Sequence, residues 1–182
     1  MNFKTFIAMR CWNPRASETI NKIKEFNPKE VILLPMYPQF SYSTSGSSIG
    51  EWKKICKENN YKIKTSIICC YPTDSNFIDA HIDEIKKKIG KNNNEKIIFS
   101  AHGLPEKNIK NGDPYQWQIE QTVKKIIEKI NIPNIDYILS YQSRVGPLKW
   151  IGPSTDEVII ENSKIGKSIV LVPVAFVSEH PK

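Results

Sequence analysis

Apolar residues in this chain fall into two alternating kinds of run. Short continuous runs predict strands, and longer runs with apolar positions three or four residues apart predict amphipathic helices. FKTFIAM (Phe3 to Met9) reads as a first strand. A helix opens near Pro14, with Ile20, Ile23 and Phe26 on its apolar face. EVILLPMY is a continuous apolar run of the kind found in strands buried on both faces. The polar stretch SYSTSGSS then leads into a helix, IGEWKKICKENN, with Ile49, Trp52 and Cys56 on one side. YKIKTSIICCY reads as a third strand.

After a turn-like Tyr71-Pro72-Thr73-Asp74 the alternation resumes. The helix FIDAHIDEIKKKIG carries Phe77, Ile78, His81, Ile82, Ile85 and Ile89 on one face, which makes His81 a core histidine with its hydrogen bonds satisfied. The strand KIIFS ends at Ala101-His102, and a long polar loop runs to Pro114. The helix YQWQIEQTVKKIIEKI stacks Ile119, Val123, Ile126 and Ile130. The strand DYILSY leads into the loop QSRVGPLKWIGPST, where Ser154 and Glu157 have capping-box spacing for a short helix. KSIVLVPVAFV is a last strand, followed by SEHPK. Strands alternating with helices at this spacing define an α/β fold of mostly parallel sheets covered by helices on both faces, with right-handed crossovers. The boundary expected near Tyr71 divides the chain into residues 1–73 and 74–182 with three strands each, and both pieces are small for a doubly wound domain. A last strand with no covering element after it predicts an incomplete two-domain architecture.

Composition narrows the function classes. With 40% hydrophobic and 25% charged residues the chain is globular. No apolar run is long enough to span a membrane, and the N-terminal apolar stretch FIAM is too short for an export signal, so a cytoplasmic protein is expected. The net charge of +7 favours an anionic partner. Its lysines are scattered over helical stretches such as IKKKIGK and do not alternate with aromatics, which argues against nucleic acid. Cys11, Cys56, Cys69 and Cys70 fit no zinc or iron–sulfur spacing and are expected as thiols, mostly buried in apolar runs.

Ligands of open parallel sheets bind beyond the carboxyl ends of the strands. The unusual segments fall at such ends: Arg10-Cys11-Trp12, Tyr37 to Ser48, His102-Gly103, Gln142-Ser143-Arg144 and Ser178-Glu179-His180. His102 is placed either to take a proton or contact a metal, or to fix the turn before Gly103. The hydroxyl-rich stretch before IGEWKK suits an anion cradle or a helix cap supplied by Ser47 or Ser48. It lacks the Lys-Ser/Thr close of a P-loop, and there is no HExxH or GxSxG motif. In the loop 142–155, Arg144 suits a carboxylate, and Trp150 suits a flat apolar ligand or a buried anchor.

The segments MRCWNP, YPQFSYSTSGSS, SAHGLP, GDPY, YQSRVGPLKWIGPSTD and VPVAFVSEH, in that order, resemble the signature segments of the ferrochelatase family over nearly the whole chain. The resemblance implies Rossmann-like domains of the chelatase kind flanking a porphyrin cleft. It implies a lyase that inserts Fe2+ into protoporphyrin IX to form protoheme. Carried over residue by residue, it implies His102 as catalytic residue and metal contact, and Arg10, Tyr37, Ser41, Ser143, Arg144 and Trp150 as porphyrin-binding residues. Glu179 and His180 match the family's acidic-His pair in a supporting role. Cys11 stands where the family carries an aromatic residue, and Lys182 where its catalytic glutamate is expected. The chain therefore reads as truncated at both ends and inactive or incomplete alone, with a non-catalytic remnant or porphyrin-binding module as the alternative. The implied partners are protoporphyrin IX and ferrous iron, the iron as substrate. No resident cofactor and no iron–sulfur cluster are implied. A peripheral membrane contact and a partner chain supplying missing segments stay open.

Overall fold

The computed structural model describes residues 2–90 and 95–177. The chain forms two compact units. One comprises the residues up to Met36 together with Phe40–Cys70, and the other comprises Tyr37–Gln39 with the chain from Tyr71 onward.

The first unit is built on a two-stranded parallel sheet, β1 (Glu30–Leu33) beside β2 (Lys64–Ile67), in the register Glu30↔Lys64 to Leu33↔Ile67. Helices α1 (Ala16–Phe26) and α2 (Ser47–Glu58) pack on it through Ala16, Ile20, Ile23, Trp52 and Ile55, joined by Val31, Leu33 and Ile63. Helix α1 closes on Asn27, which takes a left-handed φ of 50° and returns its N–H to the Ile23 carbonyl. Only one face of β1 is covered. Its outward positions, Ile32 and the following Leu34 and Met36, are exposed. The expectation of a strand buried on both faces therefore fails, because helices cover only the side that Val31 and Leu33 point to.

Residues 3–9 are not a strand either. Phe3 and Ile7 are exposed, and the segment is held by the Thr19 hydroxyl donating to the Ile7 carbonyl at 2.8 Å and by Phe6 edge-on to Phe26 at 6.0 Å. Its composition is strand-like, but apart from an isolated bridge between Met9 and Arg15 its backbone joins no ladder among the described residues.

In the second unit three parallel strands run in the order β4 (Tyr137–Gln142), β3 (Lys96–His102), β5 (Ile169–Pro173). The central strand alternates as the pleat requires. Ile97, Phe99 and Ala101 join the core with residues of α3 (Ser75–Lys88) and α5 (Tyr115–Ile130). On the opposite face Ser100 and Ser140 meet the hydroxyl of Thr155, at 3.0 and 2.9 Å, at the start of α6 (Thr155–Lys164). This hydroxyl cluster is buried and mutually bonded, so it costs little. Helices thus cover both faces, as the sequence predicts.

Three local expectations are corrected. The loop after His102 contains a short helix, α4 (Glu106–Lys110). Ser154 stands at the N-cap of α6, but its side chain makes no capping bond, so the capping box is not formed. The cysteines are less buried than expected: Cys11 and Cys69 are exposed, Cys70 is half-buried, and Cys56 is half-buried at the edge of the first unit's core.

Candidate functional site

The carboxyl end of β3 is where the second unit gathers its unusual residues. β3 and β4 end in step, with His102 opposite Gln142, and the Gly103 N–H extends the ladder to the Gln142 carbonyl at 2.8 Å. The chain then meets the far side of the 143–154 loop. Ile151 donates to the Leu104 carbonyl at 3.0 Å, and Glu106 to the Lys149 carbonyl at 2.9 Å. This short antiparallel pairing carries Trp150 over Gly103. A Cβ on Gly103 would lie 3.3 Å from the indole and 3.0 Å from the Gln142 carbonyl, so the missing side chain is what admits the ring.

His102 is exposed at this rim, and partial burial of its imidazole holds its pKa below the ordinary 6.5. It is therefore neutral at pH 7, with a lone pair for a proton or a metal. Beneath it lies Tyr115. The backbone of His102 hydrogen-bonds the Tyr115 hydroxyl, and burial raises the pKa of that phenol far above its usual range, so it stays protonated. Tyr115 opens α5 with its N–H on the buried Asp113 carboxylate at 3.0 Å.

Of the loop residues, Ser143 is exposed and takes a left-handed φ of 65° directly after β4. Arg144 folds back: one guanidinium nitrogen donates to the Ile151 carbonyl at 3.2 Å, and the other lies 4.0 Å from Glu157. A Cβ on Gly152 would come within 2.6 Å of that guanidinium, so Arg144 bridges its own loop across a glycine. Trp150 is half-buried, and its Nε1 is buried without a hydrogen-bond partner. The anchor reading of Trp150 thus holds for its body. Tyr37 also belongs to this unit and is half-exposed. Its segment is pinned by Gln39, a fully buried side chain that donates to the Thr122 hydroxyl at 3.0 Å and to the Val174 carbonyl at 3.1 Å.

Arg10 and Ser41 lie in the first unit. Arg10 donates to the Ser47 hydroxyl at 2.8 Å, at the start of α2, and stands 3.6 Å from Glu51. Ser41 is buried and caps a π-helical turn, Tyr42–Gly46, by accepting from the Ser43 N–H at 3.1 Å. Capping in the serine-rich stretch is therefore done by Ser41, and α2 itself has Gly46 at its N-cap with no side-chain bond. Glu179 and His180 lie outside the described residues.

The structure therefore brings His102, Ser143, Arg144 and Trp150 onto one rim. Sequence reasoning missed Tyr115, Gln39 and Thr122. Tyr115 was signalled by the Asp-Pro-Tyr start of its helix. Gln39 had no signal, since its partners lie 83 and 135 residues away. Among the described residues no group of three or more His, Cys, Asp and Glu is arranged to hold a metal ion, and no helix is long and apolar enough to cross a membrane.

Comparison with known proteins agrees with the order of these segments. A family model described as Ferrochelatase matches residues 1–181. A ferrochelatase of Pelagibacter ubique (strain HTCC1062) is 69% identical over 178 residues, covering 98% of this chain and 52% of the relative. One of Rickettsia bellii (strain OSU 85-389) is 50% identical over 179 residues, covering 98% and 49%. One of Rickettsia felis (strain ATCC VR-1525 / URRWXCal2) is 49% identical over 180 residues, covering 98% and 52%. The chain spans about half the length of the curated relatives it matches.

Proposed function

Because this chain belongs to the ferrochelatase family, we propose that it carries part of a site for inserting Fe2+ into protoporphyrin IX, with His102 as its proton acceptor and metal contact. The observation that carries the reading is the rim itself. A neutral imidazole stands at the end of the central strand, beside a loop that Gly103 and Trp150 lock in place.

Metal insertion releases two pyrrole N–H protons, and His102 supports this by accepting a proton at neutral pH. Tyr115, held protonated, fixes the backbone of His102 from below without competing for that proton. Iron(II) is the substrate and accepts imidazole nitrogen. No resident cofactor and no iron–sulfur cluster enter the reading. Ser143, exposed on its left-handed turn, and the face of Trp150 suit the edge and plane of a macrocycle. Arg10, in the first unit, is carried as a porphyrin contact by the family resemblance alone, and the excess positive charge suits propionates. Ser41 serves the porphyrin indirectly in this reading, by shaping the turn before α2. The reading includes a cytoplasmic location with peripheral membrane contact open, and a second polypeptide as a source of the remaining family segments.

The test is anaerobic incubation of the purified chain with iron(II) and protoporphyrin IX, following metalloporphyrin formation, beside a titration watched in the Soret band. Turnover above the metal-only blank supports insertion. A saturable Soret shift without turnover reduces the reading to a porphyrin-binding module, and a flat titration removes both.

A further inference from the structure

We propose that Cys69 and Cys70 form a bidentate dithiol site for a monosubstituted trivalent arsenical, a soft centre of the kind that thiolates select. The pair lies just beyond the carboxyl end of β2, and its two Sγ atoms are in contact at 3.1 Å. Cys69 is exposed and Cys70 half-buried, so both are within reach of a small reagent. The backbone is tethered on either side, by Ile68 donating to the Leu33 carbonyl at 3.0 Å and Tyr71 to the Pro38 carbonyl at 2.7 Å.

Geometry decides between the two reactions open to neighbouring thiols. A disulfide wants Cα atoms roughly 4.4–6.8 Å apart. Adjacent residues across a trans peptide are held at about 3.8 Å, and the Cys69–Cys70 bond is not among the cis peptides. A direct S–S bond is therefore strained and easily reduced. A single atom bridging both sulfurs needs no S–S bond and leaves them further apart. The donor set then decides between ligands. Among the described residues no third His, Cys, Asp or Glu completes a metal-holding group, so ions that require four protein ligands are poorly served. An arsenic bearing its own organic substituent requires only two thiolates. The step balances without an oxidant. Two As–O bonds of the hydrated arsenical break and two As–S bonds form. The two thiol protons leave with the oxygens as two waters, and arsenic stays trivalent.

The inference uses none of the residues of the porphyrin reading, and the pair lies in the first unit, whereas His102 lies in the second. The probe is phenylarsine oxide, added to the reduced full-length chain and followed by intact mass in the presence of excess glutathione. The expected result is one phenylarsenic group per chain that glutathione does not remove and dithiothreitol does. Cys69→Ser and Cys70→Ser should each bind about 10²–10⁴-fold more weakly, because the second sulfur otherwise acts at high effective concentration. A Cys11→Ser/Cys56→Ser double variant, which keeps only the pair, should bind like the parent chain. Retention of the group by either single variant, its loss from the double variant, or its removal from the parent by glutathione as readily as from the single variants would overturn the site.

Discussion

Two histidines in the second unit show how position separates function from packing. His102 stands at the open end of β3, while His81 lies within α3 with its ring edge-on to Phe77 at 4.7 Å. Replacing His102 by alanine in a preparation that inserts metal should lower the rate about 10²–10⁴-fold, the usual worth of a general base. Circular dichroism should be unchanged, because the side chain is exposed. A near-full rate would make His102 a turn residue only. His81 should instead govern acid stability. Its Nε2 is buried without a partner, which corrects the expectation of a satisfied core histidine, and burial lowers its pKa. Well above pH 6.5 the imidazole is neutral in both folded and unfolded chains and contributes no pH dependence. Below 6.5 the unfolded chain takes up a proton that the folded one resists, so stability falls as pH falls, by at most about 1.4 kcal/mol per pH unit. His102, shifted in the same direction, adds to the trend. Urea melts at pH 7.5 and 5.5 on His81→Phe should show a smaller loss than the parent chain. An identical loss would assign the acid sensitivity elsewhere.

At the scale of elements, periodicity named the helices well and the ends of elements poorly. Helices α1, α2, α3 and α5 fall where the apolar spacing puts them, because each buries a single stripe that the sequence displays. Strands β3 and β4 were legible for the same reason, being short apolar runs at regular intervals. Residues 3–9 have the same composition and are no strand, since strand formation depends on a ladder partner that local sequence does not encode. The candidate site was half legible. His102, Trp150 and Arg144 stand out as chemistry at strand ends, but the closing of Arg144 onto Ile151 and Glu157 is a loop conformation with no periodic signature. Gln39 was silent because a buried amide is recognised only by its distant partners. Caps give a direct test of these limits. Asp74 accepts from the N–H groups of Asn76 and Phe77 at 3.0 and 3.2 Å, so Asp74→Ala should cost roughly 0.5–2 kcal/mol. Ser154, with capping-box spacing but no side-chain bond, should tolerate alanine with little change in melting temperature. Equal costs for the two would mean that the spacing, and not the bond, marks a working cap.

At the scale of the molecule the two units differ in how much they bury. The second has a continuous core running from Ile78 through Phe99 and Ile126 to Val174, closed on both faces of its sheet. The first rests on Ala16, Ile20, Ile23, Trp52 and Ile55 over a two-stranded sheet whose outer face leaves Ile32 exposed. Stability follows apolar area removed from water, and a two-stranded sheet is marginal without covering layers. Regions with few buried apolar contacts open first. The first unit should therefore exchange its amide hydrogens before the second. In native-state hydrogen exchange, amides of β1 and β2 should lose protection at lower denaturant than those of β3 and of the middle of α5. Trimming the exposed apolar face by Ile32→Thr, which keeps β-branching and leaves the packed face of Val31 and Leu33 untouched, should raise solubility and change that opening energy little. Replacing Ile20, fully buried in α1, by alanine should cost about 2–5 kcal/mol and bring β1 and β2 exchange forward, with β3 unchanged. If Ile20→Ala advances exchange in β3 to the same extent, the two units unfold as one cooperative body and the difference in their cores does not divide the chain's stability.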